Sequence, residues 1–158
     1  MLSINEHTTS AAGFTFALVV SKYHDFITDR LQAGALAALA AAGVPASEVA
    51  IVHVPGAFEI PVAARHAAES GRYDAIVCLG CVIRGATPHF DYIASAVAHG
   101  LMDAAGATGI PMAFGVLTTN SVEEAVERAV DGPSNKGWEA AAAAVEMAAV
   151  VSRLTNPE

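Results

Sequence analysis

Short apolar runs separated by helix-length segments constrain this chain more than any other feature. Residues 14–20, 49–54, 74–79 and 111–117 each read as a strand. The third is built on Ala75-Ile-Val-Cys-Leu79, with no polar residue at alternate positions. A strand of that kind has no face to give to water and belongs in a parallel sheet covered on both sides. Between the runs lie segments of helical periodicity. In 25–42, Phe26, Leu31, Ala35 and Leu39 fall near one face, and Gly43 with Pro45 beyond it stops the helix. Pro61 suits the first turn of a second helix, where a missing N–H costs nothing, and Gly71 closes that helix. Further helices are expected at 89–105, from the Ser121/Glu124 capping box to about residue 130, and at 135–154 after the breaking tract Asp131-Gly-Pro-Ser134. Strands alternating with helices imply right-handed crossovers and a four-stranded parallel sheet between two helix layers, an α/β fold.

A length of 158 residues suits one domain, here 14–158, preceded by a polar arm, 1–13. Alone, the arm reads as irregular chain or as an edge strand for something else. Hydrophobic residues make up 54% of the chain, and the surplus suggests burial between subunits. No stretch offers the roughly 18 uninterrupted apolar residues of a membrane helix. The net charge of −8, without any basic stripe, argues against nucleic acid and anionic membranes as partners. The first residues show no charged segment leading into an apolar one, so a secretory leader is not expected and the cytoplasm is the default. Cys78 and Cys81 match C-x-x-C on paper. The motif sits in a strand rather than opening a helix, and alternation sends the two sulfurs to opposite faces, so small core residues are the better account. No metal site is expected, because no second pair or suitably spaced histidine completes one.

In an open parallel sheet, ligands sit beyond the carboxyl ends of the strands. Those ends collect the unusual chemistry of this chain. Arg84-Gly-Ala-Thr87 runs into a helix start near His89, where free N–H groups and the helix dipole suit a phosphate; an ordinary capped turn would look the same. His89 is the one histidine beside that loop, placed for proton transfer, with His24 a distant second. Tyr23 and Phe58 are aromatics in polar, glycine-bearing loops, able to sandwich a flat heterocycle. Glu59 could accept hydrogen bonds from sugar hydroxyls or simply favour a helix start. Arg128, one turn after Glu124, has the spacing of a surface ion pair, and Lys136 considered alone reads as solvated.

Taken together, the segments resemble the lumazine synthases. The matching stretches are Pro55-Gly-Ala-Phe-Glu-Ile-Pro61, Gly80-Cys-Val-Ile-Arg-Gly-Ala-Thr-Pro-His-Phe90, Phe114-Gly-Val-Leu-Thr-Thr119, Glu123-Glu-Ala-Val-Glu-Arg128 and Asn135-Lys-Gly137. They run in family order over about residues 14–154. The resemblance implies a flavodoxin-like three-layer αβα subunit in a homopentamer with active sites between adjacent subunits. It leaves open a decamer or a shell of ~60 subunits, with riboflavin synthase as a candidate protein partner. It also implies that the amino-terminal arm adds to a neighbour's sheet. By this likeness Tyr23 stacks on the pyrimidine, Ala57, Phe58, Val82 and Ile83 line the ring site, and Glu59 holds the ribityl chain. Gly85, Ala86 and Thr87 bind phosphate together with Arg128, which comes from the other subunit along with Phe114 and Lys136. His89 moves protons.

The implied reaction condenses 5-amino-6-(D-ribitylamino)uracil with 3,4-dihydroxy-2-butanone 4-phosphate to 6,7-dimethyl-8-ribityllumazine, the penultimate step of riboflavin biosynthesis, with no cofactor. Two rivals share the same residues: a flavin- or lumazine-binding paralogue with little catalysis, and a shell-forming structural protein. The chain departs from the usual family pattern in four places. Cys81 replaces a common threonine, Tyr23 a common phenylalanine, Pro88 removes one loop N–H, and the 131–134 tract lacks the lysine and second glycine many members carry.

Overall fold

The computed structural model describes Ala11 and residues 13–156. Four strands, β1 (Phe16–Ser21), β2 (Val49–Val54), β3 (Ala75–Ile83) and β4 (Met112–Thr119), form one parallel sheet in the order β2-β1-β3-β4. Five α-helices cover it: α1 (Asp25–Ala41), α2 (Ile60–Glu69), α3 (His89–Thr108), α4 (Val122–Arg128) and α5 (Lys136–Thr155). This is the three-layer sandwich expected of the alternation, in the flavodoxin-like form that the family resemblance implies.

The pleat sorts side chains into two cores. Phe16, Leu18 and Val20 of β1 join Val77, Leu79 and Cys81 of β3 beneath α1, α4 and α5. Ala17, Val19, Ile76, Cys78 and Val82 face α2 and α3. Fully buried residues such as Leu18, Leu31, Ile60 and Ile76 each contribute about 1.5–3 kcal/mol of burial energy. The two cysteines lie on opposite faces, as alternation requires. Burial pushes the Cys78 thiol up to about 12 and that of Cys81 to about 11, so neither supplies a thiolate at neutral pH.

Several boundaries differ from expectation. β1 begins at Phe16 and runs on to Ser21, shifted by up to two residues from 14–20. β3 does not end at Leu79 but continues to Ile83, paired residue by residue with β4 up to Thr119. Gly80 had marked the start of a loop; instead it is a strand residue without room for a side chain. A methyl there would lie 2.9 Å from Ile60 Cδ1 and 3.1 Å from Ser21 Oγ, so glycine lets α2 close onto the sheet. α3 runs to Thr108, one turn beyond expectation.

The chain enters the sheet past the end of α1, where the buried Ala11 donates its N–H to Ala42 O at 2.9 Å. The expected placement of the arm on a neighbour's sheet falls mainly on residues 1–10 and 12, outside the described residues. No helix among the described residues is long and apolar enough to cross a membrane. Strand β2 lies at one free edge of the sheet with Ile51 and Val52 still 39% and 38% exposed. An edge that apolar is suited to cover by another element.

Candidate active site

After β1 the chain turns onto the α1 side, whereas after β3 it turns onto the α3 side. The crevice between these exits is where open parallel sheets bind ligands. A cavity of about 590 Å³ lies there. Its walls include Tyr23, Ala57, Phe58, Glu59, Val82, Ile83, Gly85, Thr87 and His89, nine of the residues singled out from sequence.

Local structure explains each placement. Lys22 and Tyr23 donate backbone N–H groups to Val54 O (2.8 Å) and Pro55 O (3.1 Å). These bonds tie the exits of β1 and β2 together and present Tyr23 and Phe58 in one region. Both rings are largely bare, 69% and 61% exposed, which is costly for aromatics unless something flat covers them. A short 3₁₀ turn, Ala57–Glu59, leads into α2. Within it Ala57 is buried, and the Glu59 carboxylate hangs over Gly56.

At the exit of β3, Gly85, Ala86, Thr87 and His89 are all exposed. Among the described residues no acceptor meets the backbone N–H of Gly85, Ala86, Thr87, His89 or Phe90. Unpaired donors at the start of a 20-residue helix form a ready anion site. His89 is the first residue of α3, with its imidazole at the cavity wall.

The structure does not bring Phe114, Arg128 and Lys136 into this cavity. They line a second one of about 350 Å³ along the outer edge of β4, beside α4 and α5. The two cavities share no lining residue. The expected Glu124–Arg128 ion pair does not form. Ser121 Oγ takes the Glu124 N–H at 3.1 Å as the expected cap, while the Glu124 carboxylate reaches one residue past the N-cap and accepts the Asn120 N–H at 2.8 Å. Arg128 Nη1 donates instead to the backbone oxygen of Glu124 at 3.0 Å. Lys136 is not simply solvated either; its Nζ is 2.8 Å from Glu139 Oε2.

The Asn135-Lys-Gly137 stretch now has a physical meaning. Asn135 is buried, and its Oδ1 accepts the N–H groups of Gly137 (2.7 Å) and Trp138 (3.2 Å), capping α5. Its Nδ2 donates to Arg30 O of α1 at 3.1 Å. The cap aims the first turn of α5, and with it Lys136, at the β4 edge.

Two features escape sequence reasoning. His24 is the one non-glycine among the described residues with a positive φ (60°). Its ring meets Tyr23 edge-on at 4.5 Å and Phe26 at 5.9 Å, and partial burial lowers its pKa. The short Lys22-Tyr23-His24-Asp25 turn was the available signal, since histidine tolerates the left-handed region better than most residues. The second feature is the set of contacts made by Arg84, which joins residues far apart in the chain.

The chain matches the family described as 6,7-dimethyl-8-ribityllumazine synthase over residues 13–152. It is 50% identical over 156 residues to the 6,7-dimethyl-8-ribityllumazine synthase of Desulfosudis oleivorans, covering 99% of each chain. It is also 48% identical to that of Syntrophus aciditrophicus over 147 residues, or 93% of this chain and 96% of the relative. With that of Desulfatibacillum aliphaticivorans it shares 49% over 142 residues, 90% and 92% of the two chains. Identity at this level along nearly the whole length, on a flavodoxin-like frame with its loops gathered at one sheet edge, leads to one conclusion: the chain belongs to the 6,7-dimethyl-8-ribityllumazine synthase family.

Proposed function

We propose that this protein condenses 5-amino-6-(D-ribitylamino)uracil with 3,4-dihydroxy-2-butanone 4-phosphate to give 6,7-dimethyl-8-ribityllumazine, inorganic phosphate and water. The observation that carries the proposal is the joining, in one cavity, of two bare aromatic rings with a loop of unpaired N–H donors and a histidine. The pyrimidine stacks against Tyr23 and Phe58, with the ribityl hydroxyls toward Glu59. The sugar phosphate places its dianion on the amides of Gly85, Ala86 and Thr87.

The 5-amino group attacks the ketone, and loss of water gives an imine. Phosphate then departs with the electrons of its C–O bond as a neighbouring C–H yields its proton, and the resulting enol tautomerises. The ribitylamino nitrogen closes the second ring on the remaining carbonyl, with loss of a second water. His89 carries protons between these centres, and the loop amides stabilise the leaving dianion. Holding two substrates side by side supplies much of the acceleration.

The β4-edge cavity supplies the remaining groups when a neighbouring copy brings its Phe114, Arg128 and Lys136 over the loop. The proposed assembly is therefore a ring, a pentamer on the family pattern, alone or built into a decamer or shell. The proposed setting is the cytoplasm, in keeping with two free buried thiols. The decisive assay mixes the two substrates with purified protein and follows the green fluorescence of the lumazine. Acceleration above the spontaneous background supports the proposal, and ring binding without acceleration refutes it.

His89→Ala is expected to slow turnover ~10²-fold while leaving residual activity from positioning alone. Steady-state kinetics identical to those of the parent would remove His89 from the mechanism.

A further inference from the structure

Arg84 begins the anion-binding loop, and a cation there invites assignment as a phosphate ligand. Its contacts point elsewhere. The backbone N–H of Arg84 bonds Thr119 O at 2.8 Å. Its Nε donates to Asn120 Oδ1 at 2.9 Å, and its Nη1 lies 3.3 Å from Asp91 Oδ1. The guanidinium carbon sits 4.3 Å from the centroid of the Phe90 ring. One side chain thus joins the exit of β4, the strand beside the loop's own β3, to the first turn of α3, the helix into which the loop runs. Asn120 is itself held, through its N–H, by the Glu124 carboxylate at the start of α4.

The loop has little else to hold it. Gly85, Ala86 and Thr87 are exposed and their N–H groups unpaired, and a methyl added at Gly85 would meet no atom within 4 Å. The Arg84–Asp91 pair is too exposed to matter much for stability. A planar fork with fixed donor directions nevertheless defines geometry better than it supplies energy.

We propose that Arg84 is a positioning residue, which sets the angle of the 85–87 amides toward the phosphate by bracing the loop against Asn120 and Asp91. The proposal rests on the loop being the phosphate site. The test measures KM for each substrate, and inhibition by inorganic phosphate competing with the sugar phosphate, in four variants.

Arg84→Ala is expected to raise both the sugar phosphate KM and the phosphate inhibition constant ~10-fold, with the pyrimidine KM within about twofold of the parent. Asn120→Ala alters no charge and is expected to move the same two constants in the same direction, ~3–10-fold. Arg84→Lys keeps the charge but loses the fork and is expected to restore less than half of the effect. Full rescue by lysine, an Asn120→Ala protein with unchanged phosphate inhibition, or an equal rise in both KM values would each overturn the positioning role. Ala86→Pro, which deletes one of the loop N–H donors, separates the two levels of the argument. A raised phosphate constant in Ala86→Pro alone leaves the loop as the anion site and removes Arg84. No change in any variant removes the loop as well. If Arg84→Ala fails to fold, Asn120→Ala decides.

Discussion

Replacing Arg128 with alanine is expected to lower kcat/KM for the sugar phosphate ~10²–10³-fold, the range typical for removing one preorganised donor to a developing anion. The structure sharpens the expectation. The guanidinium is not neutralised by Glu124, whose carboxylate is occupied by the Asn120 N–H. Among the described residues it bonds only a backbone oxygen of its own helix, which leaves further donors for the β4-edge cavity it lines. The loss should fall on the sugar phosphate and leave binding of the pyrimidine within about twofold. Steady-state kinetics with each substrate varied in turn measure both. Unaltered kcat and KM for the sugar phosphate would show that Arg128 is only a helix-end cation.

The second large effect concerns stability. Gly137→Ala is expected to destabilise the fold by about 3–5 kcal/mol, a fall in Tm of roughly 10 °C. At Gly137 an added methyl would overlap the backbone carbonyl of Leu31. Backbone cannot swing aside as a flexible side chain can, so α1 and α5 must part. Their separation would break the Asn135 cap, which bonds α5 with its oxygen and Arg30 of α1 with its nitrogen. Gly106→Ala in α3 is the control: nothing lies within 4 Å of the added methyl, and helix propensity favours alanine by up to about 1 kcal/mol. Thermal or denaturant unfolding of the two variants gives the comparison. Equal stability of Gly137→Ala and the parent would mean that the helices can separate without loss.

Much of this fold was legible because hydrophobic patterning acts locally. The apolar runs and the capping signals of Gly43, Pro61 and Ser121 carry their own physical cause within a few residues. The end of β3 was harder. Gly80 normally punctuates a strand, and only its fit against Ile60 and Ser21 shows why the ladder continues. The site was legible as a collection at the strand ends, since topology alone brings 23, 57–59 and 82–89 together. Its division into two cavities was not readable from residue spacing. The pairing of Arg128 was also hidden: i,i+4 spacing brings Glu124 within reach, but says nothing of a competing N–H at Asn120. The contacts of Arg84 were beyond local pattern, because they join residues 90–91 of α3 to residues 119–120 at the end of β4.

Two disjoint cavities on one chain make inactivation divisible. In the proposed ring, a subunit with a spoiled loop would still offer a sound β4 edge to the neighbour on one side, and a subunit lacking Arg128 would still offer a sound loop to the neighbour on the other. Co-assembled in equal amounts at random, two chains that are each nearly dead alone would regenerate intact reaction centres at about a quarter of the junctions in a head-to-tail ring. In such a ring, two different kinds of damage would complement one another.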